Sequence, residues 1–313
     1  MAAKSIYIWN DETEIITREI EKRSTFLKIV LKTKNDLFFL TKWIDFYLSF
    51  LPPESIIICD NMSDDIDHLA YYDELPDEIV VVRYSGFHNY LHVVNAFPSL
   101  YRSLERSSEY FCFLDTDEFL VHIDDTMVPR TDTIVPFLRS LQDIQAIPSC
   151  WLNNVIKSKK LFECGSQPAV LESGRMWGKP LVRSRCASSG IIHHNEQLDR
   201  RYKIYDGPKN LFLLHLKHLD ISQRIKSNFL KLQSRRIIPR HATLDFVEAI
   251  DVASIEDPVA RSYINELIFL SRAVDDASSG WRSGVVELEV GQSMKFYSNA
   301  ERANFSYFLS RAN

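Results

Sequence analysis

Short apolar runs alternating with helix-like runs fill the first 120 residues, and that alternation restricts the possible folds more than any other feature of the chain. FLKIVLKT at 26–33, SIIICD at 55–60, EIVVVRY at 78–84 and EYFCFLD at 109–115 each have the length and β-branched or aromatic content of a buried strand. After the first, Asn35-Asp36 offers an N-cap, and LFFLTKWIDFYLSFL carries apolar residues at helical spacing until Pro52-Pro53 stops it. Residues 89–106 read as a helix interrupted near Pro98. Strands alternating with helices imply an α/β fold with a mostly parallel central sheet covered by helices on both faces. Ligands of such sheets bind at the carboxyl ends of the strands, where Asp60 and Asp115 both fall.

The fourth strand leads into Asp115-Thr116-Asp117-Glu118. If the backbone stays extended, Asp115 and Asp117 point the same way and can share one hard cation, with Thr116 and Glu118 on the other face. Mg²⁺ or Mn²⁺ prefers oxygen ligands and completes its shell with water and substrate phosphates, so the pair suits a metal–diphosphate substrate. An acidic turn after a strand has the same letters.

A chain of 313 residues, 45% hydrophobic, can bury a large core as one domain or a domain with an appendage. Its net charge of −5 gives no general attraction to nucleic acid, so no nucleic-acid partner is expected. Cys59, Cys112, Cys150, Cys164 and Cys186 form an odd set without CxxC spacing, which fits a reducing compartment. No apolar run approaches the roughly 18 residues of a membrane span, and the first residues lack a signal-peptide pattern. A soluble, cytoplasmic protein is expected. Residues 6–20 alternate around an NDET turn and suggest a hairpin appendage at 1–24. Beyond 120 the expectations are a helix at 132–142, strands near 145–151 and 211–216, and an amphipathic helix at 221–238. The tail after Ser278 carries mixed signals.

Four local patterns in order resemble family-2-like glycosyltransferases of the GT-A fold. They are Lys34-Asn35-Asp36, the Trp43-Ile44-Asp45-Phe46-Tyr47 run, Asp60-Asn61-Met62-Ser63-Asp64 and Asp115-Thr116-Asp117-Glu118-Phe119. They match motifs reading K-N-E, E-W-x-x-[YF], D-N-x-S-x-D and D-x-D-E-F, and cover roughly residues 27–120. Asp36 stands where the family has glutamate, and Trp151-Leu152-Asn153-Asn154 departs from its Trp-x-x-Phe-Gly. The resemblance implies an enzyme that moves a sugar from a nucleotide-diphosphate donor, a UDP-sugar first, to a hydroxyl on a glycan or lipid-linked acceptor. It implies inversion, dependence on Mn²⁺ or Mg²⁺, and a place in polysaccharide or glycoconjugate synthesis. It divides the chain into a nucleotide-sugar half at 25–120, an acceptor half at 121–220, and a helical region and tail at 221–313.

Carried onto this sequence, the resemblance gives Asp115 and Asp117 to the metal, with His215 as a late third ligand. It gives Asp60 to the nucleobase or ribose, with Asn35, Arg83 and Asn95 as further polar contacts to the donor, Asp115 among them. Each has an ordinary reading: Asp60 as the cap of its turn, Asn35 as a helix cap, Arg83 and Asn95 as surface groups. His193, His194 and His218 are weaker histidine candidates. Inverting transfer needs a carboxylate base near the acceptor hydroxyl, and Glu196 and Asp199 are the first to test. Lys179, Arg183 and Arg185 alternate as on a solvated strand face. The basic residues of 221–238 read as an outer helix face, with peripheral membrane contact as the alternative.

Two rivals remain: an inactive GT-A-like binding or scaffolding module, and a sugar-phosphate nucleotidylyltransferase. The latter generally starts with a Gly-rich phosphate loop, and KIVLKTKNDLFF has no glycine.

Overall fold

The computed structural model describes residues 4–163, 178–199, 201–208, 210–273 and 285–310. The chain begins β1 (Ile6–Ile8), α1 (Trp9–Lys22), β2 (Thr25–Thr33), α2 (Leu37–Leu48), β3 (Ile56–Asp60), α3 (Ile66–Tyr71) and β4 (Val80–Arg83). It continues α4 (Pro98–Ser107), β5 (Ser108–Asp115), β6 (Glu118–His122), α5 (Ile134–Ser140), β7 (Ala146–Pro148), β8 (Cys150–Asn153), β9 (Leu161–Glu163) and β10 (Pro180–Arg183). It closes with β11 (Leu211–His215), α6 (Ile221–Ser234), α7 (Leu244–Glu248), α8 (Pro258–Ala273), β12 (Val285–Glu287), β13 (Lys295–Phe296) and α9 (Asn299–Ser310).

The central sheet has seven strands in the order β1-β4-β3-β2-β5-β10-β7. From β1 to β5 every pair is parallel, whereas β10 is antiparallel to both β5 and β7. The expected α/β architecture with a mostly parallel sheet is the one observed. Alternate residues of β2 explain why both faces are covered. Leu27, Ile29 and Leu31 join a core with Trp43 and Tyr47 of α2, while Val30 joins another with Ile16 and Ile20 of α1 and Leu104 of α4. A slip of one residue would exchange the two faces, so the pattern fixes the register. Two three-stranded sheets, β6-β11-β8 and β13-β12-β9, flank the centre.

The expected N-terminal hairpin is not formed. Ile6–Ile8 pairs in parallel with β4 at the edge of the main sheet, and Trp9–Lys22 is helical with a kink at Glu12. Asp11 and Glu12 sit favourably in the first helical turn, and Ile16 and Ile20, four residues apart, share its buried side. Alternation around NDET concealed that spacing.

The expected 221–313 region divides in the structure. Leu232, Val247, Ile264 and Leu267 of α6 to α8 form their own cluster, but Val286, Met294, Phe305 and Leu309 return to the core of the central sheet. Residues 164–177 and 274–284, which hold Cys164 and the start of the unassigned tail at Ser278, lie outside the described residues. No described helix is long and apolar enough to cross a membrane.

Candidate functional site

The chain leaves β2 towards β3 and β4 on one side, then returns with β5 on the other, so β2 and β5 flank the switch in strand order. At their carboxyl ends Lys32 lies opposite Asp115 and Thr33 opposite Asp60, while Asp60 lies opposite Arg83 across the next pair. The sheet therefore brings these residues to one edge.

The extended backbone expected through Asp115-Thr116-Asp117 is replaced by a turn: β5 ends at Asp115 and β6 starts at Glu118. Four hydrogen bonds fix it. Thr116 Oγ1 donates to Asp36 Oδ2 at 2.5 Å, and the Asp115 amide donates to Glu118 Oε2 at 2.9 Å. The Tyr47 hydroxyl donates to the Glu118 carbonyl at 3.2 Å and accepts from the Leu120 amide at 2.8 Å. Asp36 also caps α2 through the Phe39 amide. Burial raises its carboxyl to about 6, against the Thr116 hydrogen bond. The helix motif with Trp43 and Tyr47 thus acts by shaping the acidic turn.

Charge is concentrated on the turn. Lys179 Nζ lies 2.5 Å from Asp115 Oδ2 and 2.7 Å from Glu118 Oε2, and Lys32 Nζ lies 3.3 Å from Asp115 Oδ1. Lys179 and Glu118 are fully buried, whereas Asp115 keeps 36% of its side-chain exposure. Burial pushes the Asp115 carboxyl up, but Lys179 and Lys32 outweigh it and hold the group well below the usual range. Burial also drives Glu118 upward to about 7, against the pull of Lys179. Asp117 Oδ2 lies 3.3 Å from His215 Nε2 and 3.9 Å from the Arg224 guanidinium. Burial opposes ionisation of Asp117 too, but His215 and Arg224 bring it to about 2. Trp151 Nε1 donates to Glu118 Oε1 at 2.8 Å, and its ring lies 4.8 Å from that of His215.

The other expected site residues are distributed differently. Asp60 is fully buried: Oδ1 accepts from the Ser63 amide and hydroxyl, and Oδ2 faces Arg83 Nε at 3.3 Å. Its observed work is to hold a turn, and Arg83 also reaches the Ser63 carbonyl. Asn35, at a positive φ of 49°, donates to Asp64 Oδ1 and accepts from the Asp64 and Asp65 amides. It ties two loops together, and Asp36 is the helix cap. Asn95 is exposed on a short turn, and the asparagine of that segment that reaches the site is Asn89, whose Oδ1 accepts from Lys32 at 3.2 Å. Glu196 lies in the turn Asn195–Gln197, just after His193 and His194, whose rings are tilted by 39° with centroids 3.8 Å apart. Asp199 is held by Arg201 through Nε at 2.9 Å and Nη2 at 2.5 Å, and that hydrogen-bonded pair lowers it to about 2. A carboxylate so engaged is a poor proton acceptor at neutral pH.

Sequence reasoning missed Lys32 and misjudged Lys179, which is buried rather than on a solvated face. The available signal was the placement of Lys28 and Lys32 inside a central strand, because a lysine there needs a partner. Glu118 lies behind the aspartates, held by Lys179 and Trp151.

The donor chemistry of Asp115, Asp117 and His215, two carboxylates and an imidazole, suits Mn²⁺ or Mg²⁺. Among the described residues no three His, Cys, Asp or Glu side chains converge as a protein-only metal cage. A Mg²⁺-type site with one or two carboxylates relies on substrate phosphate and water for the rest, so the pair fits an ion that arrives with a diphosphate.

No family model matches the chain, and no curated protein matches it in sequence. Solved structures with similar shape include S. aureus TarS 1-349, at 9% identity and a TM-score of 0.34, covering 88% of this chain and 99% of that one. TarS 1-349 in complex with UDP-GlcNAc matches at 10% identity and a TM-score of 0.38, covering 80% of this chain and 73% of that one. The mannosyltransferase PcManGT from Pyrobaculum calidifontis, in complex with GDP-Man and Mn2+, matches at 11% identity and a TM-score of 0.38, covering 85% and 82%. Likeness at this level carries no argument about the site of this chain.

Proposed function

We propose that the chain is a glycosyltransferase that moves a sugar from a nucleoside diphosphate, a UDP-sugar first, to a hydroxyl of a glycan or lipid-linked acceptor. One observation carries this reading: Asp115 and Asp117 stand on a pinned turn at the switch between β2 and β5, with Lys32, Lys179, His215 and Arg224 around them. A nucleoside diphosphate gains negative charge as it leaves, and the cations of Lys32, Lys179 and Arg224, already positioned at that spot, stabilise the change without reorganising, while burial keeps His215 toward its neutral form. Lys32 and Lys179 hold Asp115 ionised, and His215 with Arg224 does the same for Asp117. Held by Asp115 and Asp117 beside His215, Mn²⁺ or Mg²⁺ would add Lewis-acid stabilisation of the leaving diphosphate.

For an inverting reaction, the acceptor hydroxyl loses its proton to a base on the face opposite the diphosphate. Glu196 and Asp199 are the carboxylate candidates, and Arg201 engages Asp199. The test is a panel of UDP- and GDP-sugars with Mn²⁺ or Mg²⁺, read by release of nucleoside diphosphate and by NMR of the sugar product. Release from at least one donor, reduced about 100-fold or more in Asp117→Asn, is expected for a lost transition-state contact. Tight donor binding with no release or transfer would instead leave an inactive binding module.

A further inference from the structure

We infer that α6 forms one wall of the diphosphate site and that Lys231 binds the phosphates directly; the inference rests on the nucleotide-sugar reading above. Residues 224, 228 and 231 lie at helical positions i, i+4 and i+7, which share one face. Arg224 and Asn228 show where that face points. The Arg224 guanidinium is 3.9 Å from Asp117 Oδ2, and Arg224 and Asn228 donate to Glu266 Oε2 of α8, at 2.8 Å and 2.7 Å. Glu266 also takes His218 Nε2 at 3.0 Å and lies 3.6 Å from Lys217 Nζ, so it is saturated by cations.

Lys231, next along the face, is treated differently. It is half-buried, its Nζ stands 5.1 Å from the centre of the Tyr263 ring, and the ammonium, unlike the backbone carbonyl, makes no hydrogen bond or ion pair with any described residue. The other basic residues of the helix and its C-terminal end are accounted for: Arg224 is paired, Arg235 pairs with Asp257 at 2.6 Å, and Lys226 and Arg236 are exposed. Burial lowers the Lys231 ammonium to about 8, Arg224 adds to the effect, and Asp117 and Asp115 oppose it, so it remains largely cationic at pH 7. An ammonium held half-buried by an aromatic ring, on the face that looks at two carboxylates, lacks only an anion. The oxygens of a diphosphate lying against Asp115 and Asp117 supply one, and Lys231 reaches them as a point charge with three donors.

The test is calorimetric titration of the full chain with UDP, GDP, UMP and GMP, with and without Mn²⁺, together with thermal stabilisation by inorganic pyrophosphate. Lys231→Met keeps the stem over Tyr263, and Lys231→Arg keeps the charge. The inference expects Lys231→Met to weaken UDP or GDP roughly tenfold or more, the order of one charge-assisted contact. The monophosphates are expected to change far less, pyrophosphate stabilisation to be lost, and Lys231→Arg to retain binding. If Lys231→Met binds the diphosphates as the wild type does, or loses mono- and diphosphates equally, the inference is overturned and the functional reading stands. If the wild type binds pyrophosphate through Lys231 but no nucleotide, the phosphate site stands and the nucleotide-sugar reading falls. If it binds neither, both fall.

Discussion

Lys179 is the residue on which most of the acidic turn depends. Its fully buried ammonium neutralises Asp115 and Glu118 together, and removing one member of a buried charge group leaves the others uncompensated. Lys179→Met is expected to lose about 3–5 kcal/mol in urea unfolding. Adding Glu118→Gln should return part of that loss, so the double variant falls short of the sum. Strict additivity would contradict the triad. Lys28, fully buried in the same strand as Lys32, tests burial without the site. It donates to the Arg23 and Glu54 carbonyls, and burial lowers it to about 8. With the folded value below the unfolded one of about 10.4, the unfolded chain binds the extra proton between them, so stability rises with pH across that window. It is lost again as pH falls through about 8. Comparing unfolding free energies at pH 8 and 10, the wild type should gain roughly 1–3 kcal/mol that Lys28→Met does not. Equal slopes would contradict the assignment.

Among the elements, α2 and α1 show the two sides of what the sequence discloses. The apolar spacing of α2 was legible, and so was its link to the aspartate pair through motif order, but the reason for Tyr47 was not. Its hydroxyl bridges the Glu118 carbonyl and the Leu120 amide, a contact across 71 residues that no local pattern reveals. Tyr47→Phe should cost about 1–2 kcal/mol, since it leaves a buried amide and carbonyl without that partner. It should also weaken diphosphate binding by loosening the turn; unchanged affinity would detach α2 from the site. The α1 segment was misread because an alternating stretch of six or seven residues fits a strand and a short helix alike. Only burial of Ile16 and Ile20 against the second face of the sheet decides it. A chain starting at Thr25 is therefore expected to lose cooperative unfolding, since the face bearing Val30, Ile57 and Val82 becomes exposed. An unchanged midpoint would make the segment an appendage after all.

For the whole molecule, the strand pattern and the ends of β3 and β5 were legible in the sequence, because runs buried on both faces leave a strong signature. Of the groups around Asp115 and Asp117, His215 was named for the site only through the resemblance, and Lys179 and Arg224 were not. Lys179 arrives from the residue before β10, His215 from β11 and Arg224 from α6, and their meeting depends on connections after residue 120 that carry little periodicity. Asp60, by contrast, was placed at the right edge and proved to be buried in its own turn. The account holds that one locus, formed by the carboxyl ends of β2 and β5 and covered by α6, receives the nucleoside diphosphate. Hydrogen–deuterium exchange of the full chain, with and without each UDP- and GDP-sugar in Mn²⁺, tests this most directly. At least one donor is expected to slow exchange in the peptides spanning residues 32–36, 115–118 and 224–231 together. Protection centred elsewhere, such as the shallow pocket of Phe26, Arg139 and Arg183 at the far end of the sheet, would contradict it, as would no protection by any donor.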